Sequence, residues 1–159
     1  MLTIRNARPE DFTFINNGVR DVDRLYRQMK ELPAVLPHAQ ETFNRMLKNN
    51  DHHCILVAEH KNQKVGAVAV AFSDALHFGG LCAEIQDIFV DPKARGLGVG
   101  KALLQRVKEI AIERDAASID LMAPPPGSEQ DDVRSRFYEE CGYKLTGVAR
   151  SYVLHDDMK

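Results

Sequence analysis

The sequence predicts an α/β fold, a single domain in which about seven strands form a mixed central sheet covered by about four helices. Three observations carry this. Apolar runs of strand length at residues 54–58, 65–72 and 82–90 are separated by polar or glycine-containing turns, as neighbours in one sheet are. Apolar residues recur at helical spacing at both ends of that block. A glycine-rich connection then joins the third of these strands to an amphipathic helix, which is where an α/β sheet places a ligand. The predicted order is β-α-α-β-β-β-α-β-α-β-β.

Leu2, Ile4 and Ala7 give a short first strand. Arg8-Pro9-Glu10-Asp11 starts a helix, with proline in the first turn and acids beside the positive end of the dipole. Phe12, Ile15, Val19, Val22, Leu25, Tyr26 and Met29 carry that helix to about Met29, and Gly18 permits a bend within it. The proline-rich apolar loop 32–38 either walls an acceptor pocket or covers the core. A second helix follows at 39–49, with Phe43, Met46 and Leu47 facing in. Strands 54–58 and 65–72 pair as a hairpin about the polar turn 60–64. The small residues Gly66, Ala67, Ala69 and Ala71 predict a close neighbour on the second of these.

Residues 73–81 read as a loop and 82–90 as a strand with conflicting parity. Ile88 and Val90 point one way, Ile85 and Phe89 the other, so either both faces are covered or a bulge near Gln86-Asp87 shifts the register. The helix 99–113 buries Leu103, Leu104, Val107, Ile110 and Ala111. A strand at 118–123 ends at Pro124-Pro125-Pro126-Gly127, and a helix at 133–141, capped by Asp131 or Asp132, ends at Gly142. Tyr143, Leu145, Gly147 and residues 148–154 are expected to close the sheet as a final hairpin.

Composition narrows the function classes. With 159 residues the chain fits one domain with a substantial core. Lysine plus arginine number 21 against 23 aspartate plus glutamate, a net charge of −2, which points to neither nucleic acid nor membrane. No run is apolar enough to span a bilayer and none resembles a signal peptide, so the expected location is cytoplasmic. Cys54, Cys82 and Cys141 are an odd, scattered set and read as reduced thiols. His52, His53, His60 and His77 lack metal-ligand spacing, so no metal site is expected.

The chemistry concentrates in Arg95-Gly96-Leu97-Gly98-Val99-Gly100-Lys101. Alternating glycines leave the backbone bare at a helix start, so main-chain N–H groups can converge on a diphosphate flanked by two cations. The spacing excludes two ligand classes. A P-loop would need glycine where Arg95 stands and a hydroxyl where Ala102 stands. A dinucleotide fingerprint would need glycine in place of Lys101 and no five-residue gap after Val90.

What remains, Arg-x-x-Gly-x-Gly after Val90-Asp91-Pro92 and before a helix, resembles the acyl-CoA pyrophosphate loop of the GNAT superfamily of N-acyltransferases. The element order is similar to the mixed, mostly antiparallel sheet of that fold from first strand to last. The resemblance implies acetyl-CoA as co-substrate, held by Arg95, Gly96, Leu97, Gly98, Val99, Gly100 and Lys101. Main-chain groups freed by the bulge, at Ile88, Phe89 and Val90, would bind pantetheine.

The segment Phe137-Tyr138-Glu139-Glu140-Cys141-Gly142-Tyr143 resembles the family's second signature, and the resemblance makes Tyr138 the general acid for the leaving thiolate. Asp131 and Arg134 stand where the family usually has asparagine and alanine, and Arg134 is assigned to a CoA phosphate. For the base the resemblance favours Glu84, with Asp87 second, since the parity of the bulge decides which carboxylate faces the cleft. The implied activity is acetyl transfer to a primary amine of a small molecule or peptide. The alternative is a silent acyl-CoA-binding module. A homodimer is the expected assembly if the chain pairs, as relatives do, through its terminal strands.

Overall fold

The computed structural model describes residues 1–27 and 33–154; Met29 and Leu32, which figured in the expectations above, lie outside the described residues. Five strands form one sheet in the order β1-β2-β3-β4-β5. They are β1 (Leu2–Asn6), β2 (His53–His60), β3 (Gln63–Ala75), β4 (Gly80–Val90) and β5 (Ser118–Leu121). The first four are antiparallel meander neighbours, and β5 returns parallel to β4. A parallel return requires a crossover, which α3 (Val99–Glu113) supplies. The remaining helices are α1 (Phe12–Arg27), α2 (Ala39–Lys48) and α4 (Asp131–Glu140).

The sheet is buried on both faces, which explains the continuous apolar runs of β2 and β3. On one face Ile55, Val57, Ala67 and Ala69 pack beneath Ile15 of α1 and Phe43 of α2. On the other, Leu56, Val68, Val70 and Ile85 pack against Val99, Leu103, Leu104 and Val107 of α3, with Phe137 and Tyr138 of α4 at the margin. The small residues of β3 do mark close approach. A Cβ on Gly66 would stand 2.8 Å from the Phe89 carbonyl oxygen and 3.0 Å from a Val99 methyl, so the start of α3 lies directly on the sheet.

Three local readings are corrected. Gly18 does not bend α1, which is continuous; a Cβ there would fall 2.1 Å from the Phe89 ring, so the glycine admits the aromatic ring. The region 73–81 is mostly strand, because β3 and β4 extend their pairing to Ala75↔Gly80 and leave only a 3₁₀ turn at Leu76–Phe78. The helix start at Pro9 is first a 3₁₀ turn, Pro9–Asp11, with α1 beginning at Phe12.

The final hairpin, and with it the seven-strand count, is not found: among the described residues, 143–154 contain no strand. Tyr143 packs at the margin of the core, but beyond it the apolar side chains are mostly uncovered, with Leu145 87% and Tyr152 88% exposed. A two-stranded ribbon without a covered face is marginal in water. The four-residue β5, cut short before the proline run, offers little edge to pair with.

A buried ion cluster fastens α1 to the sheet. Asp11, wholly buried, accepts from Arg5 Nη1 at 2.7 Å, from Arg5 Nη2 at 3.1 Å and from the Arg8 amide at 2.8 Å. Lys64 Nζ stands 2.8 Å away, and Arg5 also donates to Glu59 at 2.8 Å. Burial alone would raise the Asp11 carboxyl, but the bonds from Arg5, Lys64 and Arg8 outweigh it and hold the group well below the usual carboxylate range.

Candidate active site

The site is built where β4 and β5 part. β5 pairs with β4 only over Cys82–Ile85, so beyond Ile85 that edge of β4 has no strand beside it among the described residues. The expected bulge lies at this point. In the β3–β4 register Val70 faces Ile85 and Ala69 faces Asp87, leaving Gln86 as the extra residue. The bulge resolves the parity conflict. Glu84, Asp87 and Phe89 share the face of Ala71, Ala69 and Ala67, under α1 and α2, whereas Ile85, Ile88 and Val90 pack on the α3 side. The main chain of Ile88, Phe89 and Val90 therefore borders the opening. The Phe89 side chain does not: its ring lies 5.4 Å from that of Phe14 and against Gly18.

The glycine-rich loop follows directly. Asp91 donates its amide to Val65 O, caps the 3₁₀ turn Pro92–Ala94 by accepting from Lys93 N at 2.8 Å, and so aims the chain at the start of α3. Gly96 and Gly98 adopt φ of 83° and 75°, and a Cβ on either would meet nothing within 4 Å, so both face open space. Leu97 donates to Ala94 and Ala102 to Gly98. Among the described residues, the amides of Gly98, Val99, Gly100 and Lys101 find no backbone or side-chain acceptor, the orphan donors of a helix N-terminus. Bare backbone, unpaired donors and the exposed Arg95 and Lys101 fit a diphosphate.

Gly100 has another role. A Cβ there would stand 3.1 Å from Phe137 Cζ, so its size is set by α4 and not by an open approach. Through this contact α4 is seated on the start of α3, which brings Tyr138 to the same side of the sheet as the loop. Tyr138 packs at 5.3 Å from the Phe137 ring and 6.2 Å from that of Tyr143. Burial pushes its phenol up, with Arg134 opposing and Cys141 adding, so the group is protonated at neutral pH.

Arg134, assigned to a CoA phosphate, has local partners in the turn before α4. Its guanidinium donates to Ser128 Oγ at 2.7 Å and to Glu129 O at 3.0 Å, and Asp131 lies 3.6 Å away. Asp131 does not cap α4 from outside but begins it, accepting from the Gly127 amide at 2.8 Å. The altered pair thus braces the turn that enters α4, and its two charges offset each other.

The two candidate bases differ in surroundings. Glu84 is exposed at the solvent end of its face. Asp87 lies at the bulge under α1, where burial pushes its carboxyl up and the Asp23 carboxylate adds to the effect, to about 6. Sequence reasoning missed Asp23 and its neighbours. Arg20 is 3% exposed and bonds Asp23 at 2.7 Å and Pro33 O at 3.1 Å, while Asn16 donates to Ala34 O at 2.9 Å. The i, i+4, i+7 spacing of Asn16, Arg20 and Asp23 could have revealed a polar stripe on an otherwise core-facing helix. These bonds also tie the apolar loop 33–37 to α1.

Other features lie apart from the opening. A 650 Å³ depression lined by Arg8, Lys48, His53 and Arg114 sits at the start of β2, the end of the sheet opposite the glycine-rich loop. Cys54, Cys82 and Cys141 are free, and burial pushes the first two thiols up. His77 stacks on Phe78 in the β3–β4 turn. Among the described residues no group of three or more His, Cys, Asp or Glu is arranged to hold a metal, and no helix is long and apolar enough to cross a membrane.

Comparison with known proteins agrees with this architecture. The family model for the acetyltransferase (GNAT) family matches residues 19–143, from α1 through the Tyr138 signature. Glucosamine 6-phosphate N-acetyltransferase 1 of Dictyostelium discoideum is 26% identical over 150 residues, 92% of this chain and 89% of its own. A transcriptional regulator from Bacillus halodurans C-125 superposes with a TM-score of 0.80 at 27% identity, over 97% of this chain and all of its own. A predicted acetyltransferase from Clostridium acetobutylicum, solved with acetyl-CoA, shares the fold at a TM-score of 0.67 and 23% identity, with 96% of each chain covered. The chain belongs to the acetyltransferase (GNAT) family of acetyl-CoA-dependent N-acetyltransferases.

Proposed function

We propose that this enzyme moves the acetyl group of acetyl-CoA to a primary amine, on a small molecule or a peptide, by direct attack in a ternary complex. Asp87 is the base and Tyr138 the acid. The observation that carries this reading is that Asp87 lies just past Ile85, where β5 leaves the edge of β4, on the face opposite the cluster against which Tyr138 packs. Donor bound along α3 and acceptor bound under α1 would meet through the gap this leaves. The Dictyostelium relative is named for acetylation of an amino sugar, which favours a small amine.

The chemistry follows from proton affinities. An alkylamine with a pKa around 10 arrives protonated at neutral pH and cannot attack. The ammonium gives one proton to Asp87, and the nitrogen lone pair then bonds to the thioester carbon. As the C–S bond breaks, Tyr138 protonates the departing sulfur and recovers a proton from the acylated nitrogen. The nitrogen has lost two protons, one to the thiol and one through Asp87 to solvent, so the account balances. A base titrating near 6 is better matched to an ammonium than an ordinary aspartate is. Glu84, solvated and farther from the gap, becomes the second candidate. Arg95 and Lys101 flank the diphosphate, and main-chain groups at Ile88, Phe89 and Val90 hold pantetheine.

The test is acceptor-dependent thiol release from acetyl-CoA across a panel of amines, with Asp87→Asn and Glu84→Gln in parallel. The expected result is release with at least one amine, reduced roughly 100-fold or more in Asp87→Asn and only a few-fold in Glu84→Gln. The reverse ranking would return the role to Glu84. Tight acetyl-CoA binding without amine-dependent release would mark a binding module.

A further inference from the structure

The edge strand is shorter than its neighbour. β1 stops at Asn6, opposite Leu56, whereas β2 begins at His53. His53, Cys54 and Ile55 therefore run on past the end of the ladder. The Ala7 amide still reaches the Ile55 carbonyl at 2.8 Å, and the chain then leaves for the 3₁₀ turn Pro9–Asp11. Helices flank this notch from both faces of the sheet. The last turns of α2 stand on the side of Ile55, and Arg114, which follows α3 directly, stands on the side of Cys54. Together they surround the 650 Å³ depression at the end of the sheet opposite the glycine-rich loop, a size that suits a small molecule and exceeds a lone ion.

The wall of this depression is one-signed. It carries Arg8, Lys48 and Arg114 and no aspartate or glutamate. Among the described residues neither Arg8 nor Lys48 has an ion-pair partner. Arg114 is placed without a carboxylate: its guanidinium lies 4.2 Å from the centre of the Phe72 ring and donates to the Asp51 carbonyl at 3.2 Å. Carboxylates on the surrounding elements are engaged elsewhere, Glu41 beside His38, Glu109 and Glu113 with Arg106, and Asp11 with Arg5 and Lys64. Glu10 and Asp51 are exposed and outside the lining. The His53 ring belongs to the wall, and its Nδ1 is buried without a partner among the described residues. Burial, with His52 and Arg45 adding, pushes that ring down, so it is neutral at pH 7; the Cys54 thiol, pushed up by burial, is neutral too. Asn44 accepts from Gln40 at 3.3 Å, which leaves its amide nitrogen to donate, and Met46, Leu47 and Ile55 supply apolar surface.

We propose that this notch is a second ligand site, separate from acetyl transfer, which takes a small phosphate monoester: the dianionic head lies among Arg8, Lys48 and Arg114, and the body rests on Met46, Leu47 and Ile55. Like charges gathered in one depression raise the local potential, and an anion that enters relieves it. Two guanidinium forks match phosphate oxygens in shape as well as charge, and a lysine adds a third contact. Three cations beside a neutral ring suit a dianion better than the single charge of a carboxylate. The position, at the far end of the strands from residues 95–101, keeps the site clear of the diphosphate seat.

The experiment titrates phenyl phosphate into isotope-labelled protein at fixed ionic strength, with CoA present, and follows the backbone amides and the histidine rings by NMR. Saturable one-to-one shifts are expected at Lys48, His53 and Arg114. The His53 ring should titrate higher by roughly half a pH unit or more in the complex, because a neighbouring dianion favours the imidazolium. Benzoate, which keeps the ring and halves the charge, should bind roughly tenfold more weakly or worse. Inorganic phosphate, which lacks the body, should bind several-fold more weakly. Arg8→Gln combined with Lys48→Gln should weaken phenyl phosphate roughly tenfold or more and leave CoA affinity unchanged. Both side chains are exposed, so the fold should persist, and thermal melting checks that it does. Shifts that do not saturate, or an affinity that the double variant leaves unmoved, would overturn the site. Benzoate binding as tightly as phenyl phosphate would overturn the ligand class. If CoA alone moves the His53 and Arg114 amides and competes with phenyl phosphate, the notch belongs to the cofactor's footprint and the claim of a separate site fails.

Discussion

The Cβ that Gly100 lacks would lie 3.1 Å from the Cζ atom of Phe137. One missing methyl therefore couples the first turn of α3, whose amides are unpaired and proposed to hold the diphosphate, to the helix that carries Tyr138. Gly100→Ala gains helix propensity, up to about 1 kcal/mol, but forces the ring and α4 to shift by tenths of an ångström. The expected outcome is an unchanged or slightly raised melting temperature with turnover reduced several-fold. Adding Phe137→Leu should recover part of the loss. A coupling below about 0.3 kcal/mol in that double-mutant cycle would mean the contact does not position the acid.

Tyr138→Phe keeps the ring that packs against Phe137 and Tyr143 and removes only the hydroxyl. Turnover should fall roughly 100-fold while the acetyl-CoA dissociation constant changes less than about twofold. Calorimetric titration alongside thiol release separates the two effects. A large loss of affinity with little loss of turnover would assign the hydroxyl to cofactor binding instead.

The ion cluster at Asp11 makes an acid-stability prediction. Its folded carboxyl titrates well below the unfolded value near 3.9. The stabilisation is therefore complete above pH 4–5 and is lost as pH falls from about 4 through the depressed folded value. Asp11→Asn takes the anion from Lys64 and from one side of the Arg5 guanidinium, leaving Arg5 with Glu59 alone, and should cost roughly 3 kcal/mol at pH 7. Urea unfolding of the two proteins should begin to converge once pH falls below about 4, and the gap should close only as pH approaches the depressed folded value. A constant gap across that range would remove Asp11 as a titrating anchor.

Much of this was legible before any coordinates. The apolar runs and intervening turns from Cys54 to Val90 placed β2, β3 and β4, and Arg95 to Lys101 marked the loop, because backbone demands at a strand–helix turn leave a local glycine record. The parity conflict between Ile85 and Ile88 left two readings, both faces covered or a bulge near Gln86-Asp87, and the structure has both. Neither reading chose between Glu84 and Asp87, since both fall on the same face once the bulge forms. Their difference is burial under α1, a tertiary property.

For the same reason Gly18 read as a bend, and the packing role of Gly100 went unread beside its expected phosphate contact. Each glycine is small because of a partner, Phe89 or Phe137, 71 and 37 positions away respectively, and a linear pattern carries no trace of it. Leu145, Val148, Tyr152 and Leu154 alternate well enough to look like strand, yet remain exposed. Alternation supplies a sheet-compatible pattern but not the second surface that makes it stable.

The central claim is that the sheet opens past Ile85, with the amides of residues 98–101 and the Tyr138 hydroxyl on one side and Asp87 on the other. A crystal structure with CoA and an accepted amine tests it most directly. The account predicts diphosphate oxygens about 3 Å from those amides, the CoA sulfur within hydrogen-bond reach of Tyr138, and the amine approaching from the Asp87 side. A diphosphate bound elsewhere, with the 95–101 loop bare and Tyr138 remote from the sulfur, would contradict it.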